Sequence, residues 1–368
     1  MSTPAPSPPA PGIKVATIAG VPVYIGRSWG ILALIIVALI GPDLQPTLGG
    51  QAYLVAIGYA LLLLIAVMVH EGAHALGARS FGFPVHRVVA DLWGGHTALD
   101  VTRSTPGRSA IVAVVGPLSN LALAAVGYGI APLFEPGIAH GLARIFGLLN
   151  LLLAGFNMLP GLPLDGGQIV ESLVWKITGD RHRGRVIAGY CGIAVTLGVL
   201  YWFIARPVLA GQTPSMFSLG WALLIGWFLW QGARHAISAG QVGGALERVR
   251  VADVLTPVAP VRYDAALSEL PGGAPPVVVD GTGMPLALVD PEALASVPRE
   301  SAPHTPISAV SRPQPAGWVV EADPNAGVAA LFAPMNAVGT GLLAITHQGR
   351  LIGVVTAASI NASLDAHT

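Results

Sequence analysis

Six apolar runs occupy most of the first 240 residues, at 28–42, 52–78, 108–134, 141–159, 185–205 and 217–238. A helix needs about 20 mostly apolar residues to cross the hydrocarbon core of a bilayer. Only 10% of the 368 residues are charged, against about 25% in an ordinary soluble domain, so a purely cytosolic enzyme is excluded. We therefore predict a polytopic α-helical protein of the cell membrane, with six transmembrane helices in contact with the lipid bilayer.

The charge is divided unevenly along the chain. Residues 1–246 contain 13 Lys and Arg against 8 Asp and Glu, whereas residues 247–368 contain 6 against 11 and no run long enough to span a bilayer. Because basic and acidic residues balance at 19 each, nucleic acid is not expected as a partner. We predict a disordered Pro-rich tail (1–13), a membrane domain (14–240), a Gly-rich hinge (241–246) and a soluble domain (247–368).

Lys and Arg concentrate on one side of the predicted spans. They precede the first span, fill the second and fourth connections and follow the last span, while the opposite side has only Arg144 and Arg206. Short cytoplasmic loops carry this excess of positive charge. Both termini, and with them the soluble domain, are therefore predicted to be cytoplasmic.

Two segments beside the spans have the composition of strands. Residues 15–25 are rich in β-branched side chains, and residues 85–99 alternate loosely around the pair Gly94-Gly95. Extended backbone next to a membrane is tolerated where protein covers it or water reaches it. We expect small membrane-associated β-hairpin elements at these positions.

The second apolar run ends in His70-Glu71-Gly72-Ala73-His74, which fits the pattern H-E-x-x-H. On a helix, residues four apart lie on one face, so both imidazoles can reach one Zn²⁺, and Glu71 can take a proton from water there. Ionisable residues in a span are costly and usually functional. The alternative is a helix end whose polar residues reach the membrane interface.

A catalytic zinc site needs a third protein ligand, and Asp165 is the candidate. It follows two prolines and one glycine in the segment 157–167, which breaks the fourth span and could turn a carboxylate back toward the metal. The alternative for this residue is a helix cap at a turn that leaves the membrane.

These two motifs together resemble the site-2 protease family of intramembrane zinc metalloproteases. The resemblance rests on H-E-x-x-H within a span followed by N-x-x-P-x-x-P-L-D-G-G at 157–167, and it extends to 116–120 and to Gly94-Gly95. It implies one Zn²⁺ per chain with His70, His74 and Asp165 as ligands and Glu71 as the general base. It further implies substrate binding by the residues Asn157, Asn120, Gly94 and Gly95.

The family also implies a substrate, the transmembrane segment of a single-span regulator such as an anti-sigma factor. Two other interpretations stay open: a membrane transporter or channel regulated by its soluble domain, and a catalytically silent zinc-binding scaffold. A transporter does not explain a metal triad with an adjacent base, and the two halves show no inverted repeat. The roles of His86 and His96, in the second connection, are not assigned.

The soluble domain contains two similar units about 60 residues apart. Each has an apolar strand, a turn at glycine, a second strand and a helix, with 276–290 in the first unit and 341–356 in the second. The pattern resembles a tandem cystathionine-β-synthase (CBS) domain pair, with an α+β fold. The resemblance implies either an adenine-nucleotide site or a packing module that forms a homodimer. The first unit departs from the pattern at 271–276.

Overall fold

The computed structural model describes residues 12–18, 20–91, 94–99 and 104–366. The tail predicted to be disordered, 1–13, lies outside these residues except for its last two positions, which belong to the first strand. The chain divides into two compact units, Met1–Gly240 and Gln241–Thr368.

Helices, most of them long and apolar, form most of the first unit, and the last of them continues past Gly240. They are α1 (Trp29–Leu48), α2 (Ala52–Ser80), α3 (Pro106–Ile130), α4 (Ile138–Asn157), α5 (Asp165–Thr178), α6 (Arg181–Leu200), α7 (Arg206–Leu209) and α8 (Met216–Arg248). Among the described residues, four stretches are long and apolar enough to cross a membrane: 29–80, 106–133, 138–157 and 181–209. The chain is thus a membrane protein with several candidate spans.

The first of these stretches contains two helices rather than one. A single 3₁₀ turn, Gly49–Gln51, separates α1 from α2, and Gly49 adopts a φ of 54°, which favours glycine. The helices pack closely, since a Cβ at Gly41 of α1 would lie 2.6 Å from the ring of Tyr53 in α2. This turn separates the first two of the six runs predicted from the sequence.

The segment 241–246, predicted to be a hinge, is helical, because α8 runs without a break to Arg248. A Cβ at Gly240, just before this segment, would lie 2.7 Å from Val186 Cγ2 and 2.9 Å from the carbonyl oxygen of His182. There the missing side chain allows close helix packing. Glycine density alone is therefore a poor sign of a flexible link in this part of the chain.

One mixed sheet accompanies the helices of the first unit. Its strands are β1 (Gly12–Ile18), β2 (Val21–Gly26), β3 (Val85–Asp91) and β4 (Gly94–Leu99), in the order β1-β2-β3-β4. β1 pairs with β2 and β3 with β4 in antiparallel hairpins, and β2 joins β3 in parallel. Val23 and Val88 pack with Ala75 of α2. The two predicted strand segments therefore form a single sheet against α2.

The second unit has an α+β fold with two sheets. Its elements are α9 (Val251–Val254), β5 (Ala259–Arg262), β6 (Pro276–Val279), β7 (Pro285–Val289), α10 (Pro291–Ser296), β8 (Ser311–Pro313), β9 (Val319–Glu321), α11 (Phe332–Val338), β10 (Leu342–His347), β11 (Arg350–Thr356) and α12 (Ala357–Asp365). The sheet orders are β5-β6-β7-β8 and β11-β10-β9. Each sheet has one parallel pair, β5 with β6 and β9 with β10, followed by an antiparallel hairpin.

The two halves of this unit share a CBS-like order of elements but differ in two places. The first sheet has a fourth strand, β8, beside β7, which has no counterpart in the second. The second half has helix α11 between its parallel strands, whereas the first has a single 3₁₀ turn, Leu267–Glu269. This turn precedes 271–276, where the sequence departs from the repeat. Apolar side chains including Val277 and Ala344, one from each half, form a shared core cluster.

Candidate metal centre

Two histidines of α2 face each other one helical turn apart. His70 and His74 are each only 7% exposed, and their Nε2 atoms are 3.1 Å apart. The spacing of four residues places both rings on the same face of the helix, as the sequence predicts. The pair forms one side of a buried polar cluster within an otherwise apolar helix.

Asp165, the first residue of α5, completes this cluster. Its Oδ2 lies 3.1 Å from Nε2 of His70 and 3.3 Å from Nε2 of His74. The loop before it is held in place by a hydrogen bond from the Leu162 amide to the carbonyl oxygen of Ala188 in α6. A Cβ at Gly166 would overlap the carbonyl oxygen of Leu159, so the close approach of these two backbone segments needs glycine. The Pro- and Gly-rich segment thus turns the chain back, as the third-ligand hypothesis requires.

In the neutral form of both rings, their hydrogen bonds place the proton on Nδ1 and leave Nε2 without one. His74 Nδ1 donates to the carbonyl oxygen of Val112 at 2.7 Å, and His70 Nδ1 donates to Asn120 Oδ1 at 2.5 Å. A neutral imidazole carries one proton, so each Nε2 presents a lone pair. Asp165 Oδ2 is buried and has no hydrogen-bond donor among the described residues. Two lone pairs and a carboxylate oxygen in one buried space fit a divalent cation.

Gly116 of α3 leaves room for this cluster. A Cβ at this position would lie 2.8 Å from Cε1 of His70 and would overlap the ring of His74. Any larger residue would occupy the space that the two rings and a bound ion need. The glycine is therefore part of the wall of the site, a role that the sequence pattern alone does not define.

Glu71 lies in the same turn of α2 as the two histidines and is 6% exposed. Buried carboxylates are rare without a partner or a function, and this one directly follows His70 in sequence and precedes His74 by three residues. Asn157, predicted to contact substrate, is the last residue of α4 and is half-buried. Gly94 and Gly95 pair with Asp91 and Ala90 through the β3–β4 hairpin.

Asn120, also predicted to contact substrate, lies among buried polar side chains. It is fully buried, with its Oδ1 on His70 and its Nδ2 2.8 Å from Asn150 Oδ1. The side chain is thus enclosed beside a candidate metal ligand, and its contact with a substrate stays a prediction.

Asn150 of α4, also fully buried, was missed by the sequence analysis. A lone amide inside an apolar span is the signal that could have identified it. Of the unassigned histidines, His86 is exposed on β3, and the side chain of His96 lies outside the described residues.

Comparison with known proteins finds one matching family model, similar curated proteins and similar solved structures. The model of peptidase family M50 matches residues 131–199, which include Asn157 and Asp165. A protein of Synechocystis sp. that bears the name "Putative zinc metalloprotease sll0528" is 34% identical over 261 residues. These residues are 68% of this chain and 66% of that protein, so the chain spans just under two thirds of its relative.

The solved site-2 protease from Methanocaldococcus jannaschii matches 61% of this chain and 94% of its own, with 22% identity and a TM-score of 0.45. The CBS domain of a CBS domain containing membrane protein from Sphaerobacter thermophilus matches 37% of this chain and 97% of its own. The identity is 22% and the TM-score 0.28.

Proposed function

Because the chain belongs to peptidase family M50, we propose that it is an intramembrane zinc metalloprotease. The proposal rests on one observation above all: two imidazole nitrogens and a carboxylate oxygen meet within 4.8 Å of one another at a buried position. Catalytic zinc has three protein ligands and one open position. One Zn²⁺ per chain is held by His70, His74 and Asp165.

The chemistry divides between the metal and Glu71. When bound, zinc supplies Lewis acidity, which polarises the scissile carbonyl group and lowers the pKa of water. Glu71 accepts the proton of the attacking water and delivers it to the nitrogen of the leaving amine. Because Glu71 is buried, its charge acts in a medium of low dielectric constant, where it is screened less than in bulk water.

The substrate that we propose is the transmembrane segment of a single-span regulator of the anti-sigma-factor type. Such a helix has its amides bonded internally, so it must unwind before attack. Among the described strands, β4, with Gly94 and Gly95, is the last of its sheet, so an extended segment can pair with its outer edge. Asn157 then orients the substrate carbonyl group.

A cavity of about 680 Å³ between α1, α4 and α8 offers space for apolar side chains of this segment. Ile35 and Leu39 line it from α1, Phe156 from α4 and Trp221 from α8. An apolar cavity between helices suits a membrane-embedded substrate better than a soluble one.

For the membrane unit we propose six crossings, made by α1, α2, α3, α4, α6 and α8, with both termini in the cytoplasm. The support is the distribution of Lys and Arg along the connections. Single cysteines introduced into the connections and labelled from either side of sealed vesicles test this topology. Labelling of the C-terminal unit from the non-cytoplasmic side would contradict it.

For the second unit we propose a CBS pair that modulates cleavage, either through an adenine nucleotide or through a homodimer. Its support is the repeated order of strands and helices in the two halves. Calorimetric titration of the full chain with ATP and AMP distinguishes regulation by a nucleotide from regulation through a homodimer. A flat response up to millimolar nucleotide leaves the homodimer, which light scattering in detergent would then have to show.

The central test is cleavage of a single-span membrane protein by the zinc-loaded chain in liposomes. Glu71→Gln keeps the shape of the side chain but removes its basicity, so we expect it to bind zinc normally and cleave about 10²- to 10⁴-fold more slowly. Glu135→Gln, at an exposed position, is the matched control and should cleave at the wild-type rate. Cleavage by Glu71→Gln near the wild-type rate would remove Glu71 from the mechanism.

A further inference from the structure

A series of hydrogen bonds through two asparagine side chains connects the candidate metal centre to the backbone of α4. His70 Nδ1 donates to Asn120 Oδ1, and Asn120 Nδ2 donates to Asn150 Oδ1 at 2.8 Å. Asn150 Nδ2 in turn donates to the carbonyl oxygen of Phe146 at 2.9 Å. Both asparagines are fully buried, so the series joins α2, α3 and α4 inside the helix assembly.

The direction of every bond in this series follows from its far end. A backbone carbonyl oxygen only accepts, so Phe146 requires the Nδ2 of Asn150 to point toward it. The Oδ1 of Asn150 then faces Asn120, so Asn120 must place its hydrogen-bond donor, Nδ2, on that side. The carbonyl oxygen of Ala66, 3.4 Å from Asn120 Nδ2, also accepts a hydrogen bond from this group. Asn120 must therefore present its Oδ1 to His70.

This orientation decides which nitrogen of His70 carries the proton. An acceptor opposite Nδ1 holds the proton on Nδ1 and leaves the lone pair on Nε2, the atom that faces Asp165. If the amide of Asn120 turned over, its Nδ2 would face Nδ1, and the proton would move to Nε2. His74 needs no such series, because a backbone carbonyl oxygen accepts its Nδ1 proton directly.

We infer that Asn150 is a positioning residue of the metal site, which fixes the metal-binding tautomer of His70 through the amide of Asn120. The inference rests on the proposed zinc site, since it concerns one of the ligands. Among the described residues, the hydrogen bonds of Asn150 go to Asn120 and to the carbonyl oxygen of Phe146, and not to His70, His74 or Asp165. It acts from α4, the helix that ends at Asn157, where the loop to Asp165 begins.

The test is zinc affinity, measured on the full chain in detergent by competition with a chromophoric chelator. Asn150→Leu removes the acceptor, and we expect zinc affinity to fall about tenfold, at the lower end of the effect of losing a partner of a metal ligand. Asn150→Asp keeps an acceptor oxygen and, when protonated, a donor toward Phe146, so it should restore most of the affinity. Thr196→Val is the matched control, because Thr196 is a buried polar residue bonded only within α6 at Gly192.

Two results would overturn the inference. One is wild-type affinity in Asn150→Leu, and the other is an equal loss in Thr196→Val, which would indicate general loosening of the helices. If Asn150→Leu does not fold, ¹⁵N NMR of the histidine rings in the metal-free wild type decides instead. His70 should carry its proton on Nδ1, and a proton on Nε2 would refute the inference. Absence of zinc binding by the wild type would instead contradict the proposed function.

Discussion

The two units of the chain bury very different residues. Among the described residues, nine of the ten buried polar or charged side chains lie in the membrane unit, and six of these belong to the metal centre or its supporting amides. The C-terminal unit buries one, Thr346, and one of its core clusters consists of Val, Leu, Ile and Met side chains. Burial of polar groups is costly unless they are paired or bind a metal. Their concentration around His70, His74 and Asp165 is therefore what a metal centre in this unit requires.

Because the buried polar side chains lie almost entirely in the membrane unit, we expect metal binding to depend on them. His74→Ala or Asp165→Ala removes one of three ligands, so we expect loss of the bound zinc, measured by elemental analysis of the purified chain. His140→Ala is the control, because His140 bonds the carbonyl oxygen of Ala131 away from the ligand cluster. Undiminished zinc in either ligand variant would overturn the assignment.

A smaller effect is expected when the space around the ligands is filled. Gly116→Ala places a methyl group against both imidazole rings. Overpacking of a tight site costs about 1–3 kcal/mol, and if this cost falls on zinc binding it corresponds to a loss of affinity of about 5- to 150-fold. Gly129→Ala on the same helix is the control, since its Cβ would meet nothing within 4 Å. Equal zinc affinity in Gly116→Ala and Gly129→Ala would show that the rings can move aside.

The proximity of His70 and His74 was predictable from the sequence because their spacing is a local property of one helix. Four residues on a helix define one face, and a Pro/Gly segment before Asp165 implies a reversal of the chain. The supporting contacts are not local: Asn120 and Asn150 are 30 residues apart and meet only because α3 packs against α4. The sequence shows a buried amide in a span but not its partner.

The fold was predictable to a similar extent. Apolar runs indicated the helices of the membrane unit, and the charge shift near residue 246 fell close to the unit boundary at Gly240. The hinge at 241–246 was not correctly predicted, because glycine is compatible both with flexible loops and with closely packed helices. The packing partners of the neighbouring Gly240, such as Val186, lie far away in sequence.

The C-terminal unit should respond to loss of apolar volume instead of loss of polar groups. Leu343 of β10 is fully buried in a core with Val251 and Leu331. We expect Leu343→Ala to destabilise this unit by about 2–5 kcal/mol, measured by hydrogen exchange of β10 in the full chain, with unchanged zinc content. Leu286→Ala, at a half-exposed position on β7, is the control and should have a much smaller effect. Loss of zinc in Leu343→Ala would contradict the separation of the two units.

The smallest expected effect concerns an exposed carboxylate at the edge of the C-terminal core. Glu321 of β9 accepts hydrogen bonds from the Thr346 hydroxyl at 2.8 Å and from the Gln348 amide at 2.6 Å. The bond from Thr346, above all, lowers the pKa of Glu321 below its ordinary value.

Because of this lowered pKa, the carboxylate of Glu321 binds a proton less tightly in the folded state than in the unfolded state. The resulting stabilisation is complete above the ordinary pKa of a glutamate and is lost as the pH falls through the lowered value. Glu321→Gln should thus speed hydrogen exchange of β10 slightly at pH 7, and the difference from the wild type should shrink in acid. A difference that persists unchanged at low pH would show that the carboxylate charge does not stabilise this strand.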